Sequence, residues 1–184
     1  FMKTTAILYN NTQLNELENF IEENLGSRYD YVAHEIKSDY VHTDTFVLKS
    51  KKGEKIFVTR GMGAREMHTP NGFKRCELVM KTGEKFVATL KESLILAAEL
   101  TRISKFPFRE ETWLGTGHTV DASQEFKEAF GYEYFAFVKL PIATKLSGID
   151  ENINFLLVVP IYEAEREWCV ENHTLAFLEK LKEK

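Results

Sequence analysis

The sequence predicts an α+β (mixed α/β) fold, in which helices pack on a largely antiparallel central sheet. Three observations lead to it: two long segments with helical periodicity, several short β-rich segments, and one compact apolar run late in the chain. That run, Phe155 to Val159, has no polar alternation, which is typical of a strand buried on both faces. Because every element has to bury a face on another, we expect a single domain over residues 2–184.

The first helix is predicted between Asn11 and Leu25. Its apolar residues recur at helical spacing: Leu14, Leu17, Phe20, Ile21 and Leu25. Asn11 or Thr12 would cap the amino end, and Gly26 would end the helix.

Short strands are expected to follow, over residues 29–36, 45–48, 55–59 and 75–80. The turn from Lys51 to Glu54 would join the second and third of them as a hairpin. A long connection, from Arg60 to Lys74, carries several glycines and a proline, which favour loop structure. In the strand that follows this loop, Cys76, Leu78 and Met80 alternate and would share one buried side.

A second helix is predicted from Phe86 to Ile103. Its inner face would be formed by Leu90, Leu94, Ala97, Ala98 and Thr101, widened by Leu96, Leu100 and Ile103. The segment Phe106–Phe108 contains a proline and is expected to break the helix, and residues 107–125 would then be a loop.

Two prolines are expected to end strands later in the chain. The strand over residues 134–140 would stop at Pro141, and the Phe155 strand would stop at Pro160, which suits the first position of a helix. Glu163, Glu165 and Glu167 in that helix would complement its dipole. We expect this strand and helix to be the spine of the fold, and a short amphipathic helix to follow over residues 173–182.

Composition and charge exclude several classes of protein. Apolar residues make up 43% and charged residues 28% of the 184 residues, which is ordinary globular usage. A net charge of −4 is unlike the basic footprint of a nucleic-acid binder; it suits a soluble protein and would favour a basic partner. With no signal peptide and no apolar span of membrane length, we expect a cytoplasmic protein without membrane association.

No motif for catalysis or metal binding is present. The segment Gly115–Val120 begins like a dinucleotide fingerprint, but its sixth residue is Val and it opens no predicted helix. His118 beside Asp121 could form an acid–base pair, although a histidine hydrogen-bonded in a turn is the simpler interpretation. The histidines lack metal-ligand spacing, and the two cysteines are far apart, so we expect no enzyme, no cofactor and no metal.

Three segments together resemble one family, the suppressor of fused (SUFU-like) domain. Thr59–Pro70, followed by Arg75–Leu78, resembles its signature T-x-G-M-S … P-M … P … R-x-E-L. Trp113–Val120 resembles its W-L … G-H-T-I loop, and Phe155–Glu165 its F-L-x-x-x-P-I-Y-x-x-E block. The chain departs from the signature at Gly63, where the family has Ser, and at the residue before Met67.

The resemblance implies a compact bacterial, single-domain member that binds another protein and catalyses nothing. The animal relative is a two-domain regulator that sequesters a transcription factor by clamping a peptide strand, and some bacterial members are thought to be immunity proteins against polymorphic toxins. If the motif loops converge at one end of the sheet, they would form one interaction surface. Its candidate residues are Arg60, Met62, Met67, Trp113, His118, Thr119, Tyr162 and Glu165.

Three hypotheses about function follow from these observations. The leading one is a non-enzymatic protein-binding module, either an immunity protein that neutralises a toxin or a sequestering regulator. The alternative is a small enzyme or ligand-binding protein that uses the Gly117–Thr119 loop, with Glu165 or Glu77 as its carboxylate. A third is a structural homodimer that buries an exposed sheet edge, so we expect either a monomer or a homodimer.

Overall fold

The computed structural model describes residues 5–26, 28–70, 73–83, 85–87 and 89–172. The predicted carboxy-terminal helix over residues 173–182 lies outside the described residues. In chain order the elements are α1 (Asn11–Asn24), β1 (Arg28–Ala33), β2 (Asp44–Lys49), β3 (Lys55–Arg60), a 3₁₀ turn (Met62–Ala64), β4 (Arg75–Thr82), α2 (Leu90–Arg109), β5 (Thr119–Asp121), α3 (Gln124–Phe130), β6 (Tyr134–Thr144), β7 (Ile153–Ile161) and α4 (Glu163–Asn172).

The strands form a seven-stranded sheet in the order β1-β2-β3-β4-β7-β6-β5. Every neighbouring pair is antiparallel except β4 and β7, which are parallel. The α+β fold with a largely antiparallel sheet is therefore confirmed, as is the β2–β3 hairpin. We call the end where β3 stops and β4 and β7 begin the Arg60 end, and the end where β7 stops and β6 begins the Tyr162 end.

Helices cover both faces of the sheet, and β7 is buried between them. Leu156 packs in the core beneath α2 and α3, whereas its neighbour Phe155 packs in the core beneath α1. Both side chains are fully buried, which confirms the prediction of a strand buried on two sides. Strand β4 is likewise buried on both faces, whereas the sequence predicted only one buried side, formed by Cys76, Leu78 and Met80.

The first helix begins at Asn11, and its N-cap lies one residue before the first of the two predicted caps. Asn10, rather than Asn11 or Thr12, is the N-cap, and its side chain accepts from Gln13 N while the Gln13 side chain accepts from Asn10 N. This reciprocal pair is a capping box, which satisfies two of the backbone N–H groups that a helix start leaves free. The sequence reading missed it because three adjacent residues can all act as caps.

The predictions that three prolines end a strand or break a helix were wrong. Pro160 lies inside β7 opposite Phe135, at a point where the pairing with β4 has already ended at Leu157. It therefore has a strand on one side only, a position that tolerates proline. Pro141 lies within β6, where the register with β7 is irregular. Pro107 lies inside α2, close to the end of the helix at Arg109.

The second helix is displaced and rotated relative to the prediction. It starts at Leu90 rather than Phe86, with Thr89 as its N-cap, and it continues past Ile103. Leu90 and Leu94, predicted to face inward, are 63% and 48% exposed. The buried face is instead formed by Ser93, Leu96, Ala97, Glu99, Leu100, Ile103, Ser104, Pro107 and Phe108.

Two elements were missed and one was misjudged. Strand β5 lies in the stretch predicted to be a loop, residues 107–125, and helix α3 begins at the end of that stretch and continues to Phe130, where no element was predicted. Helix α4 begins with Glu163 and Glu165 as expected, but it has no buried residue, so it is a peripheral element and not part of a spine.

Candidate interaction site

A buried carboxylate organises the loop that follows β3. Glu77, on β4, is fully buried. Its Oε1 atom accepts from Tyr9 Oη at 2.9 Å, Gly61 N at 2.9 Å and Gly63 N at 3.0 Å, and its Oε2 atom accepts from Thr59 Oγ1 at 2.6 Å. Burial raises the pKa of Glu77, while these four hydrogen bonds act to lower it. We call this cluster the Glu77 hub.

The loop requires glycine at two positions. Gly61 has φ +141°, and an added Cβ would lie 1.8 Å from His42 O. At Gly63 an added Cβ would lie 2.3 Å from the Tyr9 hydroxyl. Tyr9 therefore occupies the space that a Ser side chain at position 63 would need, and its hydroxyl supplies a hydrogen bond to Glu77.

Arg75 also holds the first half of the loop, and the second half reaches the end of α2. Arg75 Nη1 donates to Gly63 O at 3.0 Å and to Ala64 O at 2.9 Å. Further along, His68 N donates to Thr112 O at 3.2 Å, and Leu114 N donates to Met67 Sδ at 3.5 Å. The first motif loop therefore supports the backbone of the second, which begins at Trp113.

The second motif loop runs along β6 and leads into the edge strand β5. The rings of His118 and Trp113 pack edge to face with centroids 4.5 Å apart, and His118 Nδ1 lies 3.1 Å from Trp113 O. Gly117 N donates to Phe137 O at 3.3 Å, which places the loop beside β6. Thr119 then starts β5, which lies at the edge of the sheet and has no strand on its outer side among the described residues.

A groove lies between this edge strand and the last turns of α2. It has a volume of about 370 Å³ and is lined by Arg102, Phe106, Arg109, Thr119, Val120 and Asp121. Arg102 is fixed there, because its Nη2 atom donates to Glu99 Oε1 at 2.6 Å and to Asp121 O at 2.7 Å. Arg109 is 46% exposed and pairs with the exposed Glu110 at 2.8 Å. We call Trp113, His118 and Thr119, together with Arg102, Phe106 and Arg109, the edge surface.

The eight predicted candidate residues do not form one surface. Trp113, His118 and Thr119 are partly exposed and adjacent, whereas Met62 and Met67 are 1% and 4% exposed and belong to the core. Tyr162 and Glu165 lie at the Tyr162 end of the sheet, opposite the Arg60 end. There, Glu165 Oε2 accepts from Tyr162 N at 2.9 Å, and Tyr162 stacks on Tyr132 at 4.6 Å.

Arg60 belongs to a separate, partly buried charge network at its own end of the sheet. Its Nη2 atom donates to Asp44 Oδ2 at 3.0 Å, and its Nη1 atom contacts Glu18. Burial of Asp44 would raise its pKa, but hydrogen bonds from Glu35 N and Arg60, helped by His42, outweigh that effect and lower it. Arg60 thus has two carboxylate partners within the chain, which suits a structural role.

The network also contains a serine–histidine–aspartate relay. His42 Nδ1 lies 2.6 Å from Ser38 Oγ, and His42 Nε2 lies 3.1 Å from Asp44 Oδ1. A cavity of about 180 Å³ adjoins His42 and Asp44, but Ser38 does not line it. The Ser38 hydroxyl also lies 3.0 Å from Glu35 Oε2, so the relay is part of the buried network rather than an open nucleophile.

The His118 loop lacks the carboxylates that the enzyme alternative assigned to it. Glu77 is enclosed by its four donors, and Glu165 is engaged by the Tyr162 backbone at the Tyr162 end. Within the described part of the chain there is no group of three or more His, Cys, Asp or Glu side chains suited to a metal ion. The described helices also include none that is long and apolar enough to cross a membrane.

Sequence reasoning missed Arg102, Phe106 and Arg109 because it ended the helix before Pro107. Their spacing of four and three residues places them on one helix face, which would have been visible if the helix had been continued. It also missed the roles of Tyr9 and Glu77, since nothing local shows that residues 68 positions apart share a hydrogen bond.

Comparisons with known proteins agree with this architecture. The family model described as "Suppressor of fused protein (SUFU)" matches residues 39–184. No curated protein matches the sequence. Among solved structures, "the Sufu-Fu complex crystal structure" is similar in fold, with a TM-score of 0.63 at 11% sequence identity, over 96% of this chain and 86% of that chain. The family-model match covers the Glu77 hub except for Tyr9, the edge surface and every strand of the described sheet except β1, and on that ground this chain belongs to the suppressor of fused family.

Proposed function

We propose that this protein is a cytoplasmic, non-enzymatic binding module that sequesters another protein, and specifically that it is a bacterial immunity protein for a cognate toxin. In this proposal residues 2–184 act as a single domain, and the edge surface contacts the partner. The observation that carries the proposal is the edge surface itself, where Arg102, Phe106 and Arg109 line a groove beside β5, the outermost strand of the described sheet.

The residue types of the edge surface are those that anchor protein interfaces. Tryptophan and arginine are over-represented among residues whose truncation costs most of the binding energy. Arg102 is already held by Glu99 and Asp121, so little conformational entropy is lost when a partner binds it. Family membership supports a protein partner as well, since the solved relative is a complex of Sufu with Fu.

The charges at the groove indicate which kind of partner segment would bind there. The net charge of −4 would favour a basic partner overall. The groove itself presents Arg109 beside Phe106, with the Arg109 guanidinium carbon 5.9 Å from the ring centroid. This pair favours a partner segment that offers a carboxylate next to an apolar side chain.

A charge reversal on the edge surface tests the proposal. We expect Arg109→Glu to weaken capture of the partner about 30-fold, because it places a like charge opposite the partner's carboxylate. Lys51→Glu makes the same charge change in the exposed β2–β3 turn and should leave capture unchanged. The measurement is quantitative mass spectrometry of proteins retained from the host lysate by each variant, followed by titration of the purified partner.

A growth assay distinguishes an immunity protein from another sequestering module. When the toxin encoded beside this protein is co-expressed, the unchanged chain and Lys51→Glu should protect cells, and Arg109→Glu should not. Equal protection by Arg109→Glu would overturn the assignment of the surface. Absence of any retained partner, together with no protection by the unchanged chain, would overturn the binding function.

A further inference from the structure

The outer face of the first half of α2 carries an exposed apolar stripe. Leu90 is 63% exposed and Leu94 is 48% exposed. Leu94 lies one helical turn after Leu90, and Ala98 lies one turn after Leu94. They line a shallow groove of about 410 Å³ with Lys91, Ile95, Ala98 and Glu125. The stripe is separate from the edge surface, which uses the last turns of the same helix.

We propose that this stripe is the contact between two copies of this chain, which pack α2 against α2 in an antiparallel, two-fold symmetric arrangement centred on Leu94. In a two-fold interface the same patch contacts itself, so the patch has to be complementary to its own rotated copy. Both the shape and the charge of the stripe meet this requirement.

The shape is complementary about Leu94. Leu90 lies one turn before Leu94 and Ala98 lies one turn after it, so an antiparallel partner brings Leu90 of one copy opposite Ala98 of the other. A large side chain then meets a small one on each side of the axis, as in helices that interdigitate closely. Leu94 packs on its own symmetry mate at the centre.

The charges are complementary under the same rotation. Lys91 lies at the Leu90 end of the stripe, in the first turn of α2. Glu125 lies at the Ala98 end, because α3 is tied to α2 through Ser123 N, which donates to Glu99 Oε1 at 2.9 Å. An antiparallel partner therefore places Lys91 of each copy opposite Glu125 of the other, and the dimer contains this pair twice.

The position of Lys91 is not explained within one copy. A positive charge in the first turn of a helix opposes the helix dipole, which favours negative charge there. Among the residues that the structure describes, no ion pair engages Lys91 or Glu125. Pairing across the dimer supplies both with a partner, and antiparallel α2 helices align their dipoles favourably.

The stripe is small, so the dimer should be weak and concentration-dependent. An interface at the lower end of the size range, with few charged pairs, is consistent with a dissociation constant of about 10–100 µM. The test is sedimentation velocity of the full chain from about 1 µM to about 1 mM, a range that brackets this constant. The expected result is a shift from monomer to dimer across the range.

Four variants identify the interface. Leu94→Glu, at an exposed position that should not disturb folding, is expected to remain monomeric throughout while keeping its circular dichroism spectrum. Lys91→Glu and Glu125→Lys should each weaken dimerisation about tenfold, because each loses both symmetry-related pairs. The combined Lys91→Glu/Glu125→Lys chain should recover the original dissociation constant.

Three results would overturn the proposal: a monomer at about 1 mM for the unchanged chain, a dimer that persists in Leu94→Glu, or no recovery in the charge-swapped chain. None of these results bears on the edge surface, which is tested separately with Arg109→Glu.

Discussion

The Glu77 hub and the edge surface use polar groups in opposite ways. In the hub, a fully buried carboxylate accepts from four donors of its own chain. In the edge surface, Arg109 is 46% exposed and its neighbour in the chain is its carboxylate partner. The first family-like segment supplies most of the hub, and the second, Trp113–Val120, supplies part of the edge surface. The groove also contains Arg102, Phe106 and Arg109, which no motif marks.

The largest expected effect is on the hub itself. Glu77→Ala removes the acceptor for Tyr9 Oη, Gly61 N and Gly63 N, and each buried donor left unpaired costs about 1–3 kcal/mol. We expect a loss of more than about 4 kcal/mol in unfolding free energy, measured by urea denaturation.

If Glu77→Ala does not fold, a matched variant still tests whether hydrogen bonding is what Glu77 contributes. Glu77→Gln retains one carbonyl oxygen for the three donors on Oε1, and its amide can donate to Thr59 Oγ1, so it should cost only about 1–2 kcal/mol. Glu23→Gln, on the exposed side of α1, serves as the neutral control. Equal losses for Ala and Gln would show that hydrogen bonding is not what Glu77 contributes.

The next effect concerns the backbone of the loop. Gly61→Ala introduces a Cβ at 1.8 Å from His42 O and requires φ +141° of an alanine, so the loop has to move. We expect a loss of about 3 kcal/mol in unfolding free energy. Gly83→Ala, whose Cβ would meet nothing within 4 Å, should stay within about 0.5 kcal/mol. A similar loss for both would contradict the steric explanation.

A smaller, non-additive effect is expected between Tyr9 and Gly63. Tyr9→Phe removes one hydrogen bond to Glu77, and Gly63→Ser alone collides with the Tyr9 hydroxyl, so each should cost about 1–2 kcal/mol. In the double variant the serine can occupy the vacated space and donate to Glu77. We expect the double variant to be at least about 1 kcal/mol more stable than the sum of the single losses predicts, as measured by a double-mutant cycle. Simple additivity would show that Tyr9 does not replace the family's serine.

The edge surface should show the smallest effect on stability. Arg109→Glu changes an exposed side chain at the end of α2, so its unfolding free energy should stay within about 0.5 kcal/mol of the unchanged chain. Its effect should be confined to partner capture. A large loss of stability would place Arg109 among the structural residues and remove the contrast between the two regions.

Local patterns predicted the parts of the fold that depend on local physics. The α1 periodicity, the β2–β3 turn and the two-sided burial of Phe155 and Leu156 all follow from residue spacing. The proline errors have another origin, because a strand tolerates Pro160 only where a neighbouring strand has already ended. Where the neighbouring strand ends is a property of the assembled sheet, and the sequence around the proline does not show it.

The positions of the candidate residues also depend on the whole sheet. Trp113, His118 and Thr119 lie together because they share one loop, whereas Arg60 and Tyr162 lie at opposite ends of the sheet because β7 runs parallel to β4. Met62 and Met67 were candidates by residue type, but the loop turns both into the core. Whether a residue of an irregular loop packs into the core depends on contacts with distant residues such as Glu77. A local sequence pattern does not show those contacts.

The parallel pairing of β4 with β7 has a consequence for how the chain folds. Arg75 pairs with Ile153, so the two interior strands meet only after a long intervening segment, including α2, α3 and β6, has been made. Contacts between such distant segments carry a high entropic cost of loop closure and slow folding. Until β7 has paired with it, β4 exposes an apolar strand edge to other chains. The emerging polypeptide is therefore most prone to aggregation in the interval before β7 leaves the ribosome.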